Sequence, residues 1–144
     1  MPNHIMTYYP FPQLSSMHSK SYTRVCIHVV WGVKYRAPLL HKPLREDLFD
    51  FIRKKSYDLN YGLVVIGGVE DHVHCLFNPR PTQNISRIVK DIKGSSSRWI
   101  NEHELVEGTF EWQVGYGAFS VSSSMVRLVV RYILGQERHH GRRR

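Results

Sequence analysis

The chain has 144 residues, 42% of them hydrophobic and 12% aromatic, and a formal net charge of +8. This length suits one compact domain, and the apolar content excludes wholesale disorder. The basic balance favours a polyanionic partner, because each phosphate that lysine or arginine neutralises releases condensed counterions. No apolar run approaches the roughly 18 residues of a membrane span. The N-terminus also lacks the apolar core of a signal peptide, so we expect a cytoplasmic protein.

The first part of the chain predicts an irregular arm, a strand and a helix. Residues 1–20 mix Pro, Ser, His and Tyr without periodicity and are expected to form a flexible N-terminal extension, which leaves a single domain at residues 21–144. Tyr22–Trp31 is rich in β-branched and aromatic residues and predicts a strand. A helix is predicted from Pro43, since proline is favoured at a first helical position, and Asn60–Gly62 stops it.

The remaining elements predict an antiparallel sheet. Leu63–Val69 and His72–Phe77 form a predicted hairpin, and Asn84–Asn101 has the periodicity of a second helix. Glu107–Val121 predicts one or two short strands, and a last helix is predicted from Met125 to about residue 140. The order β-α-β-β-α-β-(β)-α predicts an α+β, ferredoxin-like or RRM-like fold. Its antiparallel sheet has helices on one face, and a C-terminal helix is added.

Two cysteines, Cys26 and Cys75, each lie inside a predicted strand. Neither belongs to a C-x-x-C pair, and a structural disulfide would be unusual in a cytosolic chain. Free cysteine is among the most buried residue types, so both are predicted to be buried thiols without a chemical role.

A pair of histidines is the first candidate site. His72 and His74 stand two residues apart in a predicted strand, so both imidazoles point to one face, while Val73 and Cys75 take the opposite, core-facing side. Two neighbouring imidazoles can bind one cation, but the same pattern also fits two histidines on the solvated face of a half-exposed strand. A histidine-triad hydrolase needs a third histidine where Leu76 stands, whereas HUH endonucleases need only His-apolar-His and a tyrosine elsewhere.

The last predicted helix carries the second candidate site. Met125, Val129, Tyr132 and Gln136 follow one another at offsets of zero, four, seven and eleven, so they share a helical face. Either Tyr132 lies at the edge of the core and Gln136 is solvated, or the two serve chemistry. Gly135 between them is a poor helix former.

The chemical interpretation of this helix is phosphodiester cleavage. A phenol that attacks a phosphodiester forms a phosphotyrosine, which keeps the bond energy for rejoining. Because an unperturbed phenol has a pKa of about 10, it needs help. A hard cation on the phosphate would supply that help. The amide oxygen of Gln136 could complete its ligand shell beside two imidazoles, a set that accepts Mg²⁺ or Mn²⁺.

Five stretches of the chain resemble a known family, the single-tyrosine HUH transposases of the smallest bacterial insertion sequences and their REP-associated tyrosine transposase relatives. The resemblance covers nearly everything from about Ser19 to His140. In order, the stretches are IHVVWGVKYR (Ile27–Arg36), DHVHCLF (Asp71–Phe77), IVKDIKGSSSRWIN (Ile88–Asn101), WQVGYGAFSVS (Trp112–Ser122) and YILGQERHH (Tyr132–His140).

The resemblance implies an activity and a site. It implies that His72, His74 and Gln136 bind a divalent metal and that Tyr132 is the nucleophile. Such enzymes recognise hairpins near element ends, cut single-stranded DNA to a 5′-phosphotyrosine and a free 3′-OH, and work as dimers in which the tyrosine helix can serve the partner's metal site. The alternative is a catalytically silent or domesticated protein of the same fold that binds DNA or RNA hairpins. An RNA-recognition module is disfavoured, because the strands lack its aromatic motif.

Two further expectations concern surfaces. Lysines and arginines of the first loop and the second helix are predicted to contact the backbone of a DNA hairpin: Lys34, Arg36, Arg87, Lys90, Lys93 and Arg98. A homodimer is expected, because Val126, Val130 and Ile133 beside the Tyr132 stripe give more hydrophobic surface than one small sheet needs, and a partner would cover it.

Overall fold

The computed structural model describes residues 22–141, so the expected N-terminal extension at residues 1–20 lies outside the described part. Four strands form one sheet in the order β2-β3-β1-β4: β1 (Cys26–Gly32), β2 (Leu63–Gly68), β3 (His72–Phe77) and β4 (Gly117–Val121). Every neighbouring pair is antiparallel. The helices are α1 (Lys42–Asp58), α2 (Ile85–Glu102), α3 (Val126–Leu134) and α4 (Gln136–Gly141). The predicted α+β, ferredoxin-like arrangement is therefore confirmed.

The main core lies between one face of the sheet and the two long helices. The side chain of Asn84 caps α2 by accepting from the backbone N–H groups of Ser86 and Arg87, and the helix then turns its apolar stripe inward. Helix α1 likewise faces the core with an apolar side, on which Leu48 and Ile52 are buried. Buried core residues from the sheet and α2 include Val29, Trp31, Val73, Cys75, Phe77, Ile88 and Ile92.

The opposite face of the sheet is covered by α3. Three side chains of that helix are buried against the sheet: Val126, Val130 and Ile133. Gly67 of β2 permits this approach, because a Cβ there would lie 2.2 Å from the carbonyl oxygen of Ile133. The expectation that these three residues need a partner's surface was wrong, because they pack on the sheet of their own chain.

Some predicted boundaries differ from the structure. Strand β1 begins at Cys26 rather than Tyr22, because its neighbour β4 ends at Val121, the pairing partner of Cys26. Residues 107–121 contain one strand and a single bridge, between Val33 and Trp112.

The last helix is not continuous. A 3₁₀ turn at Ser123–Met125 precedes α3, and the helix breaks at Gly135, where the backbone leaves helical geometry before α4 begins. Glycine costs roughly 1 kcal/mol relative to alanine inside a helix, so a break is favoured there.

The two cysteines are buried and free, as predicted, and lie on opposite faces of the sheet. Burial raises the pKa of the Cys75 thiol well above its usual range, which keeps it protonated. None of the helices between residues 22 and 141 is long and apolar enough to cross a membrane.

Candidate active site

His72 and His74 share the face of β3 that α3 covers. Their ring centroids are 5.0 Å apart, so the period-two prediction of adjacent imidazoles is confirmed. The solvated-face interpretation was wrong, because the two residues are only 7% and 6% exposed. The helix that carries Tyr132 lies over this face and removes the histidines from bulk solvent.

His72 is held by a carboxylate. Its Nδ1 lies 2.7 Å from Oδ1 of Asp71, and the Nε of Arg36 donates to the other carboxylate oxygen at 3.1 Å. Arg36 Nη2 is also 3.4 Å from the same ring nitrogen, but the shorter contact is to an ionised carboxylate, which only accepts, and it assigns the proton to Nδ1. Partial burial acts to raise the pKa of Asp71, yet the hydrogen bonds from His72 and Arg36 hold it below its usual value.

A third histidine, which the sequence analysis missed, completes the cluster. His28 of β1 faces the same side as His74, and its Nε2 lies 2.9 Å from His74 Nδ1. The two rings are nearly parallel, with an interplanar angle of 29° and centroids 5.1 Å apart. Burial lowers the pKa of His28 and so favours its neutral form. The sequence did contain a signal for the orientation of His28: Val29 and Trp31 are apolar and alternate with it, so His28 is expected on the face opposite the core.

Tyr132 lies against the histidines. Its ring meets His74 edge-on with centroids 5.6 Å apart, and meets His28 in the same way at 6.2 Å. Tyr132 is nevertheless 44% exposed. It opens into a groove of about 520 Å³ that is also lined by His72, His74 and the loop at Gln113–Gly117. Residues predicted from two separate motifs are thus neighbours in space.

Gln136 follows Tyr132 by one turn but diverges from it at the Gly135 break. It is only 1% exposed, and its Nε2 donates to the backbone carbonyl of Tyr132 at 3.0 Å. Its Oε1 is buried without a hydrogen-bond partner among the residues that the structure describes. Such an orphaned acceptor costs about 1–3 kcal/mol unless a ligand satisfies it.

The C-terminal segment is anchored by a buried guanidinium that the sequence analysis did not single out. The side chain of Arg45, only 5% exposed, donates to the carbonyl of Leu40 at 2.8 Å and forms an ion pair with Glu137 of α4. Glu70, in the turn before β3, lies 3.9 Å away. Arg45 therefore joins α1, the β2–β3 turn and the residue that follows Gln136.

The predicted DNA-contacting cations fall into two groups. Arg36 lines the groove, and Lys34 beside it forms a 2.8 Å ion pair with an exposed glutamate, Glu111. The others lie on α2, which packs on the opposite face of the sheet. The α2 group comprises Arg87, Lys90, Lys93 and Arg98.

Within the α2 group, Lys93 differs from the rest. Its Nζ donates to the carbonyls of Gln113 and Gly115, at 2.7 and 2.8 Å, and so fixes a loop that borders the groove. Burial lowers its pKa. Arg87 pairs with Asp91 at 3.4 Å, while Lys90 is exposed.

Comparison with known proteins shows which family this chain belongs to. The family model of IS200-like transposases matches residues 21–136, which span both histidines and the tyrosine helix through Gln136. This chain belongs to the IS200-like transposase family. The resemblance expected from the sequence motifs is confirmed. A curated relative, the ISDra2 transposase TnpA of Deinococcus radiodurans, is 30% identical over 114 residues, which cover 76% of this chain and 81% of the relative.

Two solved structures share the fold. A provisionally assigned transposase from Deinococcus radiodurans R1 superimposes with a TM-score of 0.68 at 25% identity, covering 82% of this chain and 95% of its own. A REP-associated tyrosine transposase bound to a REP hairpin gives a TM-score of 0.60 at 17% identity, and the match covers 82% of this chain and 70% of that chain. The sequence match therefore establishes the transposase family over residues 21–136, and the structural matches establish the tyrosine transposase fold.

Proposed function

We propose that this transposase cleaves and rejoins single-stranded DNA at the ends of an insertion sequence, with Tyr132 as nucleophile and a divalent metal ion held by His72, His74 and Gln136. The observation that carries the proposal is the contact between the rings of Tyr132 and His74, 5.6 Å apart between centroids. These residues come from α3 and β3 and are 58 positions apart in the chain. Because the chain belongs to a transposase family, the reaction expected at this site is a step of DNA transposition.

The types of ligand that these residues offer suit a metal ion such as Mg²⁺ or Mn²⁺. Within residues 22–141 no three His, Cys, Asp or Glu side chains form a metal-binding group, so the histidine pair needs a ligand of another type. The buried, unsatisfied Oε1 of Gln136 is an oxygen donor of that type. Two imidazole nitrogens and one amide oxygen leave positions open for a phosphate. When bound, the ion would neutralise charge that develops on the scissile phosphate.

The roles of the protein's own groups follow from exposure and chemistry. Tyr132 is 44% exposed and lines the groove, so a phosphodiester bound in the groove would lie beside its side chain. Attack by Oη forms a phosphorus–oxygen bond to the 5′ phosphate and breaks the bond to the 3′ oxygen. The phenol gives up its proton, and the released 3′ oxygen takes up a proton. The phosphotyrosine conserves the ester for the reverse reaction with a new 3′-OH.

We propose DNA hairpins as the partner and a homodimer as the working form. The neighbour bound to a REP hairpin and the net charge of +8 both support a hairpin ligand. The predicted contacts remain Lys34, Arg36, Arg87, Lys90, Lys93 and Arg98. Exposed apolar side chains on the outer side of α3 and its 3₁₀ turn support a partner surface: Met125, Leu128 and Leu134, at 46%, 54% and 53% exposure.

The test is covalent capture on single-stranded oligonucleotides that carry the hairpin ends of the element. With Mg²⁺ or Mn²⁺, the wild-type protein should form a denaturation-resistant DNA adduct, and peptide mass spectrometry should place it on Tyr132. Tyr132→Phe should bind the hairpin without forming an adduct. Tyr57→Phe, at an 86% exposed position on α1, is the matched control and should behave as wild type.

The same assay distinguishes the catalytically silent alternative. Hairpin binding by the wild-type protein with no adduct and no cleavage under any divalent metal would favour a binding protein of this fold. An adduct on another tyrosine would overturn the assignment of the nucleophile.

A further inference from the structure

Both histidines of the pair use Nδ1 to contact the protein. His72 Nδ1 contacts the Asp71 carboxylate at 2.7 Å, and His74 Nδ1 contacts Nε2 of His28 at 2.9 Å. A histidine that binds a metal through one nitrogen usually donates the other N–H to a neighbouring acceptor, which fixes its tautomer and ring orientation. Asp71 is such an acceptor for His72. For His74, the residue in the equivalent place is His28.

The sheet fixes this contact. His28 pairs with Leu76 and Val30 pairs with His74 across the β1–β3 ladder, so His28 and His74 are diagonal neighbours on one face. Phe119 of β4, the other cross-strand partner of His28, lies beside its ring with centroids 6.3 Å apart. With strands on both sides and α3 above, the imidazole of His28 is half-buried. Its Nε2 is therefore held at a defined position against His74.

We propose that His28 is a positioning residue that accepts a hydrogen bond from Nδ1–H of His74 and thereby presents Nε2 of His74 to the metal ion. The inference rests on the metal site of the proposed function. Metal binding by His74 through Nδ1 would instead break the contact with His28. With Nδ1–H on both His72 and His74, the pair offers nitrogens of the same kind, Nε2, to one cation.

Titration calorimetry with Mn²⁺ alone, on the full chain, tests the role of His28. His28→Phe keeps a planar ring between His74 and Phe119 but has no acceptor, and should weaken Mn²⁺ binding by about 10- to 100-fold. His28→Gln keeps an acceptor and should restore most of that loss. His103→Phe, at the exposed end of α2, is the matched control and should leave the affinity unchanged.

The outcomes separate this inference from the proposed function. If His74→Ala binds Mn²⁺ as tightly as wild type, the metal site itself is misassigned. If His74→Ala loses binding while His28→Phe keeps wild-type affinity, the metal site stands and the role of His28 is refuted.

A tautomer measurement covers the case in which His28→Phe does not fold. Nitrogen-15 spectra of the wild-type protein without metal should show the Nδ1–H tautomer for His74. Finding the Nε2–H tautomer there would overturn the proposal.

Discussion

At Gly67 of β2 the backbone of α3 approaches the sheet closely. Gly67 pairs with His74 on the neighbouring strand and faces the same side. A Cβ at this position would lie 2.2 Å from the carbonyl oxygen of Ile133 and 3.1 Å from its Cγ2. Ile133 is fully buried and is the residue after Tyr132 in α3. The substitution Gly67→Ala therefore disturbs the packing of the helix that carries the proposed nucleophile, without changing any proposed catalytic group.

The expected magnitude follows from this distance. Ordinary van der Waals contact begins at 3.4 Å, so α3 must move away from the sheet by about 1.2 Å. Overpacking of this kind costs roughly 1–3 kcal/mol, and the upper end applies because the obstacle is backbone rather than a flexible side chain. A displacement of about 1 Å at a reacting group can lower the rate by roughly 100-fold. Gly67→Ala should thus lose more in adduct formation than its loss of stability explains.

Urea denaturation and the rate of adduct formation provide the two measurements. Gly94→Ala is the control, because no atom lies within 4 Å of a Cβ built at this exposed position of α2. It should stabilise the fold by up to about 1 kcal/mol through helix propensity and leave adduct formation unchanged. The reasoning fails if Gly67→Ala matches wild type in both stability and rate, since the contact between β2 and α3 would then not be tight.

Three further results are expected. Lys90→Ala should reduce the slope of log affinity against log salt for hairpin DNA by about 0.7–0.9 with little change in stability, and an unchanged slope would remove Lys90 from the interface. Lys93→Ala should also destabilise the fold by about 1–3 kcal/mol, because the Lys93 ammonium donates to two loop carbonyls. Glu137→Gln should destabilise the fold, but by less than the roughly 3–5 kcal/mol of a fully buried broken ion pair, because the Glu137 side chain is 55% exposed while Arg45 is 5% exposed. A melting curve identical to wild type, or a loss within that range, would contradict this. Light scattering should give about twice the monomer mass of 16.9 kDa, and a monomer would count against the dimer.

Local patterns predicted the elements well where neighbours in sequence decide the structure. The bounds of β3 match the prediction, and the period of two correctly put His72 and His74 side by side. Asn84 was predicted to begin α2 and caps it. These features depend on backbone alternation and helix termini, which short stretches of sequence encode.

Features that depend on register or on packing between distant elements were not predictable in this way. His28 belongs with His74 only because β1 pairs with β3 in one register across 46 residues. The periodicity of α3 did not decide its orientation, because its apolar residues cover a wide arc and two stripes, one residue out of phase, each have helical spacing. The sheet buries the stripe Val126, Val130 and Ile133 rather than the stripe Met125, Val129 and Tyr132.

The polar groups of the candidate site divide into two kinds, and the difference bears on the function of the site. The Nδ1 atoms of His72 and His74 have partners within the protein, supplied by Asp71 and His28. In contrast, Oε1 of Gln136 is buried with no hydrogen-bond partner among residues 22–141. For stability alone an apolar side chain would be preferable here, because the unpaired oxygen costs about 1–3 kcal/mol while the amide nitrogen donates one hydrogen bond, to the carbonyl of Tyr132, among the described residues. The proposed metal ion would give this oxygen a ligand when the transposase acts, and that would be a physical reason for keeping the glutamine.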